Sequence, residues 1–148
     1  MDDLRRELNV LAGLSAAPAT SFSPVQAQKF FFLCDKEQAA ALGGELFNFD
    51  AYDYGPFDRE VYRMLEKLEH DGYVRIVNPE SRYRRYQLTD EGFERGRRQL
   101  AKLNGELQGW LEQTSRWVQS LSFGQLVEAI YNKYPQMKKN SVYRFAQG

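Results

Sequence analysis

A helix followed directly by a hairpin, over residues 58–88, constrains the fold more than any other feature of the sequence. One face of this helix carries four apolar residues at i, i+3, i+4, i+7 spacing: Val61, Met64, Leu65 and Leu68. Asp58 can cap the helix N terminus, and Gly72 can end the helix. "YVRIV" (73–77) and "RYQL" (85–88) are typical of two strands, separated by turn-forming residues. The segment therefore predicts a helix that leads into a β-hairpin with an arginine-rich tip.

The residues before this segment predict two helices and a short strand. Leucines at helical spacing indicate a first helix over residues 4–14. A serine cap followed by proline indicates a second helix from Pro24 to about Leu42, and its "KFFFLC" centre, apolar nearly all round, predicts a buried central helix. The alternating aromatics of "LFNFDAYDY" predict a short, half-buried strand that stops at Gly55-Pro56.

The residues after the hairpin predict a long helix and a final short one. Thr89 can cap the long helix, and its apolar residues alternate spacings of three and four, as in a heptad pattern. This seam consists of Phe93, Gly96, Leu100, Leu103, Leu107, Trp110, Thr114, Trp117 and Leu121. Gly105 and Gly109 lie off the seam, which predicts a kink or break near Asn104. "SFGQ" at 122–125 fits a capping box that begins the last helix.

This order of elements is that of a winged helix, in which a short strand joins the hairpin. "VYRMLEKLEHDGYVRIVNPESRYRRYQLTDEGFERG" resembles the helix-and-wing segment of PadR- and MarR-type transcription regulators. The matching positions are Leu65, Leu68, Gly72, Tyr73, Val74, Arg84, Arg85, Tyr86, Leu88, Thr89 and Gly92. We expect one mostly helical α+β domain over residues 1–148. Its core would be a winged helix-turn-helix at about 24–103, with additional helices at both ends. The C-terminal helices would form an extension at about 104–148.

A second resemblance covers more of the chain. "QKFFFLCD", "FNFDAYDYGPFDREVYRMLEKLEHDGYV" and "SFGQLVEAIYNKYP" together look like the Panacea-type (SocA-like antitoxin) domain and its YwgA-like relatives. The positions that match are Lys29, Phe49, Tyr54, Gly55, Pro56, Val61 and Tyr62. The resemblance implies a small bacterial or phage protein, in some cases an antitoxin that binds a toxin.

Composition places the chain among folded proteins without disulfides. The hydrophobic fraction is 43%, and Cys34 is the single cysteine, which excludes an internal disulfide and points to a buried apolar role in "FFFLC". No signal peptide or bilayer-length apolar run is present, so we expect a cytoplasmic protein with no membrane partner. The net charge is zero, but residues 1–56 carry 4 basic and 8 acidic residues, whereas residues 89–148 carry 9 and 6.

The first functional hypothesis is binding of double-stranded DNA. By the winged-helix resemblance, Arg59, Tyr62 and Arg63 would face the major groove, and Arg82, Arg84 and Arg85 would lie on the wing. The arginine guanidinium can form paired hydrogen bonds to guanine or to phosphate. Against this, the same helix carries four acidic residues that repel phosphate: Glu60, Glu66, Glu69 and Asp71. The alternative is a solvated helix face with Arg–Glu pairs.

The second hypothesis is a protein partner. Leu103, Leu107, Trp110 and Trp117 of the heptad seam could form a homodimer interface or a toxin-binding surface, since aromatic residues anchor interfaces. Alternatively, the seam packs on the phenylalanine-rich helix of the same chain. In this case the protein would be an interaction adaptor or toxin-neutralising module that does not bind DNA.

The residues do not predict an enzyme. His70 is the only histidine and lies on a charged helix face, so neither a His–Cys metal site nor a Ser–His triad is supported. The acidic residues Asp50, Asp53, Asp58 and Glu60 match no calcium loop, and Asp58 is explained as a helix cap. Gly43-Gly44 forms no phosphate-binding motif. We therefore expect no catalytic residues, metal or cofactor.

Overall fold

The helix that contains the phenylalanine run lies in the hydrophobic core. In a computed structural model that describes residues 2–144, this helix spans Pro24–Glu37. Phe30, Phe31 and Phe32 are each fully buried. Ser23 accepts the Gln26 backbone N–H, and Gln26 returns a bond to the Ser23 N–H, which completes a capping box. The predicted buried central helix is confirmed.

The chain is α+β and mostly helical, as predicted, with seven α-helices and five short strands among the described residues. They are α1 (Asp3–Ala16), β1 (Ser21–Phe22), α2 (Pro24–Glu37), α3 (Ala39–Leu42), β2 (Asp50–Tyr52), β3 (Gly55–Phe57), α4 (Arg59–His70), β4 (Val74–Val77), β5 (Arg85–Leu88), α5 (Asp90–Lys102), α6 (Gly105–Ser120) and α7 (Phe123–Lys133). A 3-10 turn, Pro135–Lys138, follows α7. Within residues 2–144, no helix is long and apolar enough to cross a bilayer.

The predicted helix and hairpin over residues 58–88 are confirmed in detail. The Asp58 side chain accepts the Glu60 N–H at the start of α4, and Gly72 ends the turn after it with a φ of 86°. In the hairpin, β4 and β5 pair antiparallel, with Val74 opposite Leu88. Thr89 caps α5 by accepting the Gly92 N–H.

The strand that joins the hairpin differs from the predicted one. The three-stranded sheet has the order β1-β5-β4, and its outer strand β1 comes from Ser21 and Phe22. The predicted aromatic strand instead forms β2, which turns at Gly55 and pairs with β3 in a separate two-stranded sheet. Gly55 has a φ of 102°, so it permits a tight reversal where a strand end was expected. The sheet therefore begins before residue 24, outside the expected 24–103 core.

Two predicted helices are each divided in the structure. The helix from Pro24 ends at Glu37, because Gln38 leaves the helical conformation, and the short α3 then ends at Gly43 with a φ of 85°. The predicted break near Asn104 is confirmed, since the Asn104 side chain accepts the Leu107 N–H and begins a new helix. The buried residues of α6 are Leu107, Leu111, Ser115 and Val118, so beyond Leu107 the buried face lies one residue later than the predicted seam.

Helices α1 and α5 pack closely through a glycine. A Cβ atom added at Gly96 would lie 2.4 Å from the Leu11 carbonyl oxygen and 2.8 Å from the Ser15 Cβ. Both distances are below van der Waals contact, so the helix backbones are too close for any side chain here. Gly96 therefore determines how near α5 lies to α1.

We expect Gly96→Ala to lower the free energy of unfolding by about 1–3 kcal/mol, because a methyl group overpacks the α1–α5 contact. Gly109→Ala is the matched control, since an added Cβ there meets nothing within 4 Å. The control should raise stability by up to about 1 kcal/mol through helix propensity. Urea unfolding of both variants measures the difference, and equal stabilities would contradict the close packing.

Candidate functional site

The arginine-bearing hairpin contacts α4 through Arg84. The rings of Tyr62 in α4 and Tyr86 in β5 stack with centroids 5.9 Å apart. The Arg84 guanidinium carbon lies 5.3 Å from the Tyr62 centroid and 5.4 Å from the Tyr86 centroid, within cation–π range of both. Burial raises the pKa of Tyr62 and raises that of Tyr86 to about 12, so both phenols are neutral at physiological pH. The buried Arg84 Nε has no hydrogen-bond acceptor among residues 2–144.

Arg85 lies apart from Arg84 and has a structural partner. Its Nε donates to the Ser21 Oγ at 2.7 Å, and a terminal nitrogen donates to the Ser21 carbonyl at 3.0 Å. Arg85 and Tyr86 are successive strand residues and point to opposite faces of the sheet, which separates Arg85 from Arg84, since Arg84 lies over the Tyr86 ring. Arg85 therefore holds β1 against β5 with two of its five N–H donors.

The remaining predicted DNA-contact residues are exposed. Arg59 and Arg63 lie on the outer face of α4, where Arg63 pairs with Glu60. On the hairpin tip, the Arg82 guanidinium lies over the Tyr83 ring at 4.9 Å and donates to its hydroxyl.

Besides Glu60, which pairs with Arg63, two more of the four acidic residues at residues 60–71 have partners. Glu69 accepts the Ile76 N–H, and Asp71 pairs with Lys67, which also contacts Glu7. Glu66 remains an exposed carboxylate on the outer face of α4. Residues 73–88 carry four arginines and one glutamate, whereas residues 58–71 carry three basic and five acidic residues. The hairpin, rather than the helix, is the positively charged part of this surface.

The four predicted partner-surface residues are divided between the core and the protein surface. Leu107 is 2% exposed and belongs to the core, and Leu103 is half-buried at the break. Trp117 is 40% exposed, and Trp110 is half-buried. Both tryptophans line a groove of about 320 Å³ between α6, α7 and the end of α2, with Leu33 in its wall. The groove keeps two of the four residues together on an accessible surface.

A pocket that the residue patterns did not predict lies between α2, the β2–β3 hairpin and the starts of α4 and α7. Its volume is about 330 Å³. The wall is mainly aromatic, with rings from Tyr52, Tyr54, Phe57, Tyr62 and Phe123. We call it the Lys29 pocket, because the side chain of Lys29 lines it from α2.

Lys29 is 3% exposed, although lysine is almost never fully buried without an ionic partner. Its Nζ donates to the Pro56 carbonyl at 3.1 Å. No acidic side chain among residues 2–144 forms an ion pair with it. Burial lowers the pKa of Lys29 to about 7, because desolvation disfavours the ammonium form.

The Tyr54-Gly55-Pro56 turn explains how Lys29 is accommodated. A Cβ atom added at Gly55 would lie 3.5 Å from the Lys29 Cε and 3.6 Å from its Nζ, both van der Waals contact distances, so the turn packs directly against the buried amine. On the same helix, Gln28 donates to the Asp58 carbonyl and accepts the Asp58 N–H, each at 3.0 Å. The sequence signal was a lysine within an apolar helix, but its partner is 27 residues away.

Among residues 2–144, no group of three or more His, Cys, Asp or Glu residues could hold a metal ion. Comparison of the chain with known protein families, curated proteins and solved structures gives no match. The candidate sites are therefore defined by their geometry alone. They are the Arg84 surface, formed by Arg84 with Tyr62 and Tyr86, the groove lined by Trp110 and Trp117, which we call the tryptophan groove, and the Lys29 pocket.

We expect Lys29→Met to be more stable than the wild type at pH 7, by an amount on the order of a few kcal/mol, because it removes a buried charge. The Lys29 pKa is about 7 in the folded chain and 10.5 as its ordinary value, so between these pH values the unfolded state binds more protons. The free energy of unfolding of the wild type therefore rises from pH 7 to pH 10 as Lys29 loses its proton. The stability advantage of Lys29→Met over the wild type shrinks over the same range.

Urea unfolding at pH 7 and pH 10 measures this change. Lys36→Met, an exposed position on the same helix, is the control and should show no comparable pH trend. A stability difference between Lys29→Met and wild type that stays constant with pH would contradict the lowered pKa.

Proposed function

We propose that the chain is a small winged-helix protein that binds double-stranded DNA, as a transcriptional or antitoxin-like regulator, with its hairpin as the wing. The observation that carries the proposal is the sheet order β1-β5-β4 with α4 packed beside it through Tyr62 and Arg84. A strand between the first two helices that pairs with the hairpin is the arrangement expected of a winged helix. The resemblance of residues 61–96 to PadR- and MarR-type regulators supports the same function.

The charge distribution favours contact through the wing over base reading by α4. Arginine side chains on the hairpin can bind phosphate without reading sequence, and several such contacts give micromolar non-specific affinity. The acidic residues of α4 oppose deep insertion of that helix into a groove. Arg59 and Arg63 then contribute at the edge of the wing surface, whereas Arg85 supports the sheet.

We expect Arg82→Ala/Arg84→Ala to weaken binding to duplex DNA and to reduce its salt dependence. Each lost phosphate contact lowers the slope of log K against log salt by about 0.9, so two contacts remove about 1.8. Fluorescence anisotropy with labelled duplex DNA at several salt concentrations measures both quantities. Thermal unfolding of the variant checks that the tyrosine stack survives the loss of Arg84.

Arg98→Ala/Arg116→Ala is the matched control, since it removes the same charge from exposed positions on α5 and α6. The control should change the slope much less. Equal slopes in both double variants and in the wild type would remove the hairpin from the DNA-binding surface.

The tryptophan groove favours a second candidate, a protein partner bound at α6, of which a second copy of this chain is the simplest. Trp110 and Trp117 are large aromatic residues that keep accessible area beside a concave surface, which is typical of interface anchors. A symmetric dimer through this face would support DNA binding to paired half-sites. Without DNA binding, the same groove would make the chain an adaptor or toxin-neutralising module.

We expect Trp117→Ala to shift the chain towards the monomer, because the variant removes an exposed aromatic anchor while leaving the core intact. Sedimentation velocity over a concentration series measures the dimer dissociation constant. Tyr83→Ala is the control, because Tyr83 is 65% exposed and its ring lies at the hairpin tip, outside the tryptophan groove. A wild-type chain that remains monomeric at all concentrations would exclude the homodimer.

A further inference from the structure

We propose that the Lys29 pocket binds a small organic acid, whose carboxylate pairs with the Lys29 side chain and whose flat apolar body lies between the aromatic rings of the wall. This inference goes beyond DNA or protein binding and does not depend on either. It concerns a different surface from the tryptophan groove.

The charge of Lys29 calls for an anion. A buried ammonium is unfavourable unless it is paired, and Lys29 has one carbonyl contact and no ion pair among the described residues. An ammonium has three N–H donors, so two remain after the bond to the Pro56 carbonyl. A carboxylate in the pocket would supply the missing charge and accept those donors, and it would favour the protonated form of the amine.

The wall selects a flat apolar body. The Tyr52 and Phe57 rings stack at 5.3 Å between centroids, and Tyr62 meets Phe57 edge-on at 5.6 Å. Tyr54 also meets Phe123 edge-on at 5.2 Å. Rings from the β2–β3 hairpin, α4 and α7 thus line one space of about 330 Å³, a volume within the usual range for small-molecule pockets. Aromatic walls of this kind contact an aromatic ligand through stacked and edge-to-face geometry.

Asp53 limits the number of negative charges that a ligand in this pocket can carry. Its side chain is exposed and lies in the lining of the same pocket. A single carboxylate can approach Lys29 while its neutral body passes Asp53, whereas a second negative charge on the ligand would be repelled there. The pocket therefore favours a monoanion over a phosphate ester or a dicarboxylate.

Binding of 2-naphthoate and benzoate to the full chain, with 2-naphthamide as the neutral counterpart of the larger acid, tests this proposal by isothermal titration calorimetry. We expect 2-naphthoate to bind the wild type at least about tenfold more tightly than 2-naphthamide, since only the acid pairs with the amine. Lys29→Met should lose that tenfold preference while it retains naphthamide binding. Lys36→Met, on the same helix but exposed, should behave as the wild type.

Tyr52→Ala provides a second variant that leaves the amine intact, and its ring is 56% exposed, so folding does not depend on it. It should weaken the acid and the amide by similar factors, because it removes part of the wall. The proposal is overturned if neither acid binds the wild type at millimolar concentration, or if Lys29→Met retains the preference for 2-naphthoate over 2-naphthamide. DNA binding measured on the same variants distinguishes failure of this proposal from failure of the proposed function.

Discussion

Helix α2 is enclosed by the rest of the chain, and the polar side chains it carries into the interior determine how residues 45–58 lie. Gln28 exchanges two bonds with the Asp58 backbone, and Lys29 donates to the Pro56 carbonyl. Near the other end of the helix, the Asp35 carboxylate accepts the backbone N–H groups of Leu46 and Phe47. Because buried polar groups must be paired, these bonds hold the β2–β3 hairpin and the start of α4 against the core.

Local patterns predicted the elements that depend on local interactions. The caps at Asp58 and Thr89 and the apolar stripe of α4 act within four residues, and they predicted α4 and the hairpin correctly. Strand β1 was not predicted, because a strand of two residues, Ser21 and Phe22, is too short to show a periodic pattern. It forms by pairing with β5, which is distant in the sequence. The break after Glu37 also lacks a glycine or proline at the break itself.

The candidate sites were predictable to different extents. The arginines of the hairpin were visible in the sequence, but the Arg85 bonds to Ser21 join residues 64 positions apart and so needed the tertiary structure. The heptad seam assigned Leu107 and Trp117 to one face, but ten residues of a straight α-helix place them about 80° apart around α6, so Leu107 is buried and Trp117 is exposed. The lysine within the apolar run "QKFFFLC" could be noticed in the sequence. That it lines a pocket could not be predicted, because the pocket wall is assembled from four separate segments of the chain.

Tyr62 belongs to two surfaces at once: its ring lines the Lys29 pocket and also supports the Arg84 guanidinium. A molecule that displaced this ring would disturb the position of an arginine on the far side of it. Where one ligand changes the affinity for a second, the second changes the affinity for the first by the same factor, so such a displacement would act in both directions. If both surfaces bind a ligand, Tyr62 is the side chain that connects them.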